Sequence, residues 1–246
     1  MSDLETQHSH TPEGIRLRLG AKADHSYLRD FVYGGIDGAV TTFAVVSGVA
    51  GAELSSGIVI VLGLANLLGD GFSMAAGNFL GSRADLQLLD AAREMEEKHI
   101  DRYPDGEREE IRQIYAKKGF EGDDLERAVT IITSDKKLWI DTMLREELGF
   151  ALDRPNPMRA ALVTFGSFLA IGILPLIVFL IDYFSPLSNP FLYSSVLTAG
   201  AFFIVGAVKA RFVAQKWYFA GMETVAVGGI AAGLAYVVGM ALKRVL

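Results

Sequence analysis

The chain has no cysteine in its 246 residues. That absence excludes disulfide scaffolds, thiolate zinc sites, iron–sulfur clusters and thiol catalysis. Charge is also sparse: only 21% of the residues are charged, and the net charge of −6 excludes a generally basic nucleic-acid binder. The sequence contains no phosphate-binding loop of the GxxxxGK(S/T) type, which argues against direct coupling to ATP.

Apolar residues make up 51% of the sequence, and the mean hydropathy is +0.31. A water-soluble domain seldom has so positive a mean hydropathy. Five apolar stretches are each near the length of about 20 residues that a helix needs to cross the hydrocarbon of a bilayer. These predicted spans are residues 31–52, 57–81, 160–181, 191–208 and 224–242. We therefore predict an all-α membrane protein with five transmembrane helices.

Acidic residues concentrate in one segment between the second and third spans. Residues 81–157 contain 19 acidic and 13 basic side chains, whereas the rest of the chain is neutral. Helix-forming residues dominate this segment, and Pro104 and Gly119 mark the ends of helices. Asp123 with Glu126 predicts a capping box at the start of one helix, and Ser134 or Asp135 is expected to begin the last helix. The predicted organisation is a tail over 1–30, spans over 31–81, an acidic helical module over 82–157, and spans over 158–246.

Lysine and arginine cluster before the first span and after the fourth, whereas the short loops after spans one and three have none. Cytoplasmic loops carry such an excess, so we expect a cytoplasmic N-terminus, a cytoplasmic acidic module and a C-terminus on the far side. Lys243 and Arg244 fall on the wrong side in this topology. His8 and His10 could bind metal, although a mobile tail is the simpler interpretation.

Two carboxylates, Asp37 and Asp70, lie inside predicted spans, where ionisable groups are costly and mark functional sites. On span two, four side chains recur every four residues and form one stripe along a helix: Asn66, Asp70, Met74 and Asn78. Oxygen ligands with a thioether would suit a divalent first-row metal ion. Alternatively, the polar groups bridge neighbouring helices and Met74 fills space between them.

The acidic module offers three pairs of side chains with helical spacing, which together would form an oxygen-rich pocket with one sulfur. The pairs are Glu94 with Glu97, Glu107 with Glu110, and Met143 with Glu147. Alternatively, these residues form solvated helix faces. Glu96 and His99 form a single Glu-x-x-His motif, whereas ferritin-like di-iron proteins need two. We therefore interpret His99 as a surface residue.

Several motifs in a fixed order carry a resemblance to a known family. They are YGGIDG at 33–38, TTFAVVSG at 41–48, GDGFSM at 69–74, EELG at 146–149, PNP at 155–157 and LPL at 174–176. With these motifs, the chain resembles the vacuolar iron transporter family of divalent-metal/proton antiporters over about residues 27–244.

The resemblance implies a homodimer with five spans in each subunit and a path between the subunits that includes Asp37 and Met74. It further implies a cytoplasmic metal-binding domain, whose best matches are Glu94, Glu97, Glu107, Glu110, Met143 and Glu147. Some members have a second methionine where this chain has Leu144. The implied activity is export of Fe²⁺, and also Mn²⁺, from the cytosol in exchange for protons. Zn²⁺ is a further candidate for binding, and no prosthetic group is expected.

The resemblance therefore favours a secondary transporter in the cell membrane or a vacuolar-type membrane. One alternative is a membrane-anchored di-iron oxidase of ferritin type, against which the missing second Glu-x-x-His motif counts. The other is a non-transporting membrane scaffold whose acidic module binds a protein. The carboxylates of Asp37 and Asp70 count against the scaffold, since a scaffold has no use for charges inside its spans.

Overall fold

The computed structural model describes residues 11–20, 26–211, 213, 215–243 and 245. His8, His10 and much of the predicted tail lie outside these residues. The described part of the chain contains ten helices and no strand. In chain order they are α1 (Pro12–Gly20), α2 (Leu28–Gly51), α3 (Ser56–Arg102), α4 (Pro104–Lys117), α5 (Gly122–Thr133), α6 (Lys136–Glu146), α7 (Pro157–Gly172), α8 (Leu174–Phe184), α9 (Pro190–Lys209) and α10 (Trp217–Lys243).

Four of these helices, α2, α3, α9 and α10, are long and apolar enough to cross a membrane. The pair α7 and α8 passes the same test when taken together, although it is bent by 43° at the break between the two helices. Pro175 lies in the first turn of α8 and has no backbone N–H to continue the ladder from α7. The expectation of an all-α membrane protein is confirmed, with four or five candidate spans.

The chain divides into two compact units, of which the first comprises Met1–Phe79 and Pro157–Leu246. In this membrane unit, α2 packs against α7, α9 and α10 around an apolar core that includes Phe43 and Leu176. At two points, helices of this unit pack so closely that there is no room for a side chain between them. A Cβ at Gly38 would collide with the backbone of Phe168 on α7, and one at Gly239 with the backbone of Gly48 on α2. Glycine is therefore required where these helices touch.

The second unit, Leu80–Asn156, contains the C-terminal part of α3 together with α4, α5 and α6. Its core is formed by apolar side chains of all four helices, among them Leu89, Ile111, Val129 and Trp139. Asp135 caps α6 by accepting a hydrogen bond from the backbone N–H of Leu138, at 2.9 Å. We refer to this unit as the acidic module.

Span two and the first helix of the acidic module are one continuous 47-residue helix, α3. The helix runs through Gly81 because the residues that follow are strong helix formers. One local expectation was wrong. The capping box at Asp123 does not form, because α5 already begins at Gly122 and its N-cap residue, Glu121, makes no side-chain cap. The positive φ of 55° at Gly122 explains this start, since glycine adopts that conformation at no steric cost.

Candidate functional site

The polar stripe on α3 lies partly on the surface of the chain. Asp70 is exposed, and Asn66 and Met74 are half-buried. The amide nitrogen of Asn66 is buried and has no hydrogen-bond partner among the described residues. Asp37 on α2 is half-buried and lies close enough to Asp70 for the two carboxylates to interact electrostatically. The two carboxylates, which lie on different helices, are thus within electrostatic reach of each other.

Asn78, the last member of the stripe, bridges helices. Its side-chain amide donates to Asp30 Oδ1 on α2 at 2.9 Å and to Thr164 Oγ1 on α7 at 2.7 Å. For this residue the interhelical role considered from the sequence is therefore observed. At the other end of the same span, Ser56 donates to Asp182 at 2.5 Å. Hydrogen bonds thus hold the membrane part of α3 at both ends, while Asp70 and Met74 lie between them.

In the acidic module, two glutamates from different helices are buried. Glu96 on α3 is 2% exposed and Glu107 on α4 is 6% exposed. The Oε2 atom of each is buried and has no hydrogen-bond partner in the part of the chain that the structure describes. A buried carboxylate oxygen without a donor is costly, so a bound cation or proton would relieve both residues.

Electrostatics couples these two glutamates to the residues around them. Burial, followed by the negative charges of Glu110 and Glu96, raises the pKa of Glu107 from 4.5 to about 7. Burial and then Glu147 raise the pKa of Glu96, and burial and then Glu110 raise that of Glu147. Nδ1 of His99 lies 3.6 Å from Oε1 of Glu107. We define the acidic cluster as Glu96, His99, Glu107, Glu110 and Glu147.

The structure places Glu94 and Glu97 outside the acidic cluster. Glu94 is exposed and accepts a hydrogen bond of 2.6 Å from Lys98, which lowers the pKa of Glu94. Glu97 pairs with Lys136 at 3.1 Å on the module surface. Each of these exposed carboxylates is already paired with a lysine side chain. Neither therefore needs a bound cation in the way that the buried Glu96 and Glu107 do.

Met143 is fully buried, as is the neighbouring Leu144, and both belong to the apolar core of the acidic module. The backbone N–H of Glu147 donates to the carbonyl of Met143 at 3.0 Å, so the sulfur-bearing residue is one turn from the acidic cluster. Among the described residues, no three side chains of histidine, aspartate or glutamate converge tightly enough to hold an ion as they stand. Binding in the acidic cluster would therefore require glutamate side chains to change rotamer.

Glu96 was not among the candidate metal ligands predicted from the sequence, although it is buried. His99 is exposed, as expected of a surface residue, and it also lies beside Glu107. Glu96 lies seven residues after Leu89 and four before Ile100, and both of these are buried on the apolar face of α3. An acidic residue on an apolar face was the available signal. The Glu96-x-x-His99 spacing was a second signal, because residues three apart share a helix face.

Comparison with known proteins assigns the chain to a family. The model of the VIT family matches residues 28–240. A vacuolar iron transporter of Toxoplasma gondii is 35% identical over all of this chain and 86% of its own length. A vacuolar iron transporter of Centaurea cyanus is 32% identical over 91% of this chain and 93% of its own, and vacuolar iron transporter 1 of Oryza sativa subsp. japonica is 28% identical over 96% and 92%. This chain is therefore a member of the VIT family, a family of membrane transporters and not of enzymes.

Proposed function

We propose that the protein is a secondary transporter that exports Fe²⁺ from the cytosol in exchange for protons, with Mn²⁺ as a second substrate. The observation that carries this proposal is the approach of Asp37 to Asp70 from neighbouring membrane helices. Two carboxylates in a span are costly unless a cation or protons neutralise them. Since metal binding needs the ionised form, metal and protons compete for the pair.

Met74 lies one turn from Asp70 on the same face of α3, so its thioether is available to an ion held by Asp70. A thioether does not titrate, so its role is to select among metal ions and not to carry protons. In this mechanism, protons from an acidic far compartment displace the metal from the pair, and the pair reloads with metal after deprotonation on the cytoplasmic side.

Metal uptake into liposomes by purified protein tests the path. Asp37→Asn should abolish Fe²⁺ uptake, whereas Asp37→Glu, the matched control that keeps a carboxylate, should retain part of it. Both variants should elute as the wild type does in size-exclusion chromatography. Wild-type uptake by Asp37→Asn would remove Asp37 from the path.

We further propose that the acidic module is cytoplasmic and gathers metal ions for the path. The support is the pair of buried, unpartnered carboxylate oxygens of Glu96 and Glu107. The cluster residues Glu110 and Glu147 add negative charge that favours a divalent cation. Calorimetric titration of the full-length protein with Mn²⁺ should show a site that Glu107→Gln weakens. Glu94→Gln is the matched control, because Glu94 lies outside the acidic cluster, and it should bind as the wild type does.

We propose, finally, that the path is completed by a second copy of the chain. Asp70 is exposed in a single protomer, and exposure of a carboxylate to lipid is costly. On the same helix, a Cβ at Gly69 or Gly77 would meet no described residue within 4 Å, so a second helix could approach closely at these small residues. Gly77→Leu should dissociate the homodimer, whereas Gly166→Leu, equally unobstructed in one protomer, should leave the molecular mass unchanged.

A further inference from the structure

We infer that His99 is a specificity-determining ligand: its imidazole nitrogen joins Glu96 and Glu107 on the bound cation and makes the acidic module prefer Zn²⁺ and Fe²⁺ over Mn²⁺. This inference rests on the proposed role of the acidic module in metal binding. It goes beyond that role because it assigns one residue and one order of preference.

The first support is the position of His99. His99 follows Glu96 by three residues on α3, and Nδ1 of His99 lies 3.6 Å from Oε1 of Glu107 on α4. That separation is too long for a hydrogen bond. The separation does suit two ligands of one cation. If the nitrogen and the oxygen each lie about 2.1 Å from the metal, a distance of this size between them corresponds to an angle of about 120° at the metal.

The second support is independent of this distance and comes from burial. Oε2 of Glu96 and Oε2 of Glu107 are buried and have no partner within the described ranges of the chain, and both residues are more than nine-tenths buried. A cation between them and the imidazole would satisfy both oxygens. Each glutamate has three side-chain torsions, so a rotamer change can bring its second oxygen to the ion without backbone movement.

Access to the position is open. The side chain of His99 is 47% exposed. It borders a surface groove of about 730 Å³ along α3, which is also lined by Glu94, Lys98 and Asp101. A hydrated cation can therefore reach the imidazole from solvent before it meets the buried carboxylates, and His99 would be its first contact.

The chemistry of the ligands gives the order of preference. Sites made of carboxylate oxygens suit Mg²⁺, Ca²⁺ and Mn²⁺, whereas an imidazole nitrogen suits Fe²⁺, Zn²⁺ and other later first-row ions. Affinity also rises from Mn²⁺ through Fe²⁺ towards Zn²⁺ in sites with nitrogen ligands. Removal of the nitrogen should therefore weaken Zn²⁺ binding much more than Mn²⁺ binding.

The experiment uses the full-length protein in lipid nanodiscs at pH 7.5. The chain has four histidines, so His8, His10 and His25 are first replaced by Gln, which leaves His99 as the only imidazole. Mn²⁺ and Zn²⁺ are then titrated separately into this parent and into its His99→Gln variant. We expect the Zn²⁺ affinity to fall about tenfold or more and the Mn²⁺ affinity to change much less, since even an outer-shell partner of a metal ligand is worth about 10–100-fold.

Pulsed electron paramagnetic resonance of bound Mn²⁺ gives a second readout that a structural role of His99 would not move. The parent should show modulation from one directly bound ¹⁴N nucleus, and His99→Gln should lose it. An unchanged ratio of Zn²⁺ to Mn²⁺ affinity, or no ¹⁴N modulation in the parent, would overturn the inference about His99 and leave the metal-binding role of the module standing. If the parent binds neither metal, or Glu107→Gln changes nothing, the proposed role of the module fails and the inference fails with it.

Discussion

Replacement of Glu107 by glutamine should stabilise the metal-free protein at neutral and alkaline pH. Since the pKa of Glu107 is raised from 4.5 to about 7 in the fold, the folded module holds the Glu107 proton more tightly than the unfolded chain does. The stabilising contribution of this proton is fully present below pH 4.5 and is lost as the pH rises through about 7. Glutamine remains neutral throughout and escapes that loss.

The size of the effect follows from the pKa difference. A change from 4.5 to about 7 corresponds to at most about 3.5 kcal/mol, since one pKa unit is about 1.4 kcal/mol. Water and ions near the acidic cluster screen part of this, so we expect Glu107→Gln to raise the free energy of unfolding at pH 8 by about 1–3 kcal/mol. At pH 4 the variant and the wild type should be about equally stable.

Trp139 provides the assay, because it is buried in the core of the acidic module and the only other tryptophan is the exposed Trp217. In a Trp217→Phe background, urea unfolding followed by Trp139 fluorescence reports on the module within the full-length protein. Glu94→Gln is the matched control: the pKa of Glu94 is lowered by Lys98, so its neutralisation should give no gain at pH 8. Equal stability of the wild type and Glu107→Gln at pH 8 would refute the argument.

Three further outcomes are expected. Met74→Ala should change the ratio of Fe²⁺ to Mn²⁺ flux in liposomes but not the proton coupling, because a thioether does not titrate; loss of coupling would contradict its assigned role. Gly38→Val should reduce the yield of folded protein through a clash with the α7 backbone, whereas Gly166→Val, which has open space around it, should not. Asn78→Leu should lower the melting temperature in detergent by removing bonds worth about 1–3 kcal/mol between three helices. Asn66→Leu, which removes an unpartnered amide nitrogen, should not lower it.

The spans were predictable because an apolar run of about 20 residues is typical of a helix that crosses a membrane and is rare in other structures. The bend between α7 and α8 lay within one predicted span, although Pro175 already marked its position. The continuity of α3 through Gly81 was not predictable, since a single glycine in a helix costs only about 1 kcal/mol and favourable neighbours can offset it.

In the acidic module, the helices could be found from the sequence but the phase of α3 could not be set from charge alone. Glu94, Glu96 and Glu97 are the same residue type. Only their spacing from the buried apolar residues Leu89 and Ile100 shows which of them points into the module. Contacts between distant segments leave no signal in a single sequence. The bonds of Asn78 join residues 48 and 86 positions apart, and the approach of Asp70 to Asp37 depends on how two separate helices pack.

Coupled flux in one preparation of liposomes tests the central claim most directly. Fe²⁺ is added outside vesicles with an acidic lumen, and internal metal and internal pH are recorded together. If Asp37 and Asp70 hold either metal or protons, Fe²⁺ entry should accelerate with the imposed gradient, the lumen should become more alkaline as metal enters, and Asp37→Asn should abolish both signals. Fe²⁺ entry that is indifferent to the pH gradient, with no change of internal pH, would contradict the exchange mechanism and indicate a channel or uniporter.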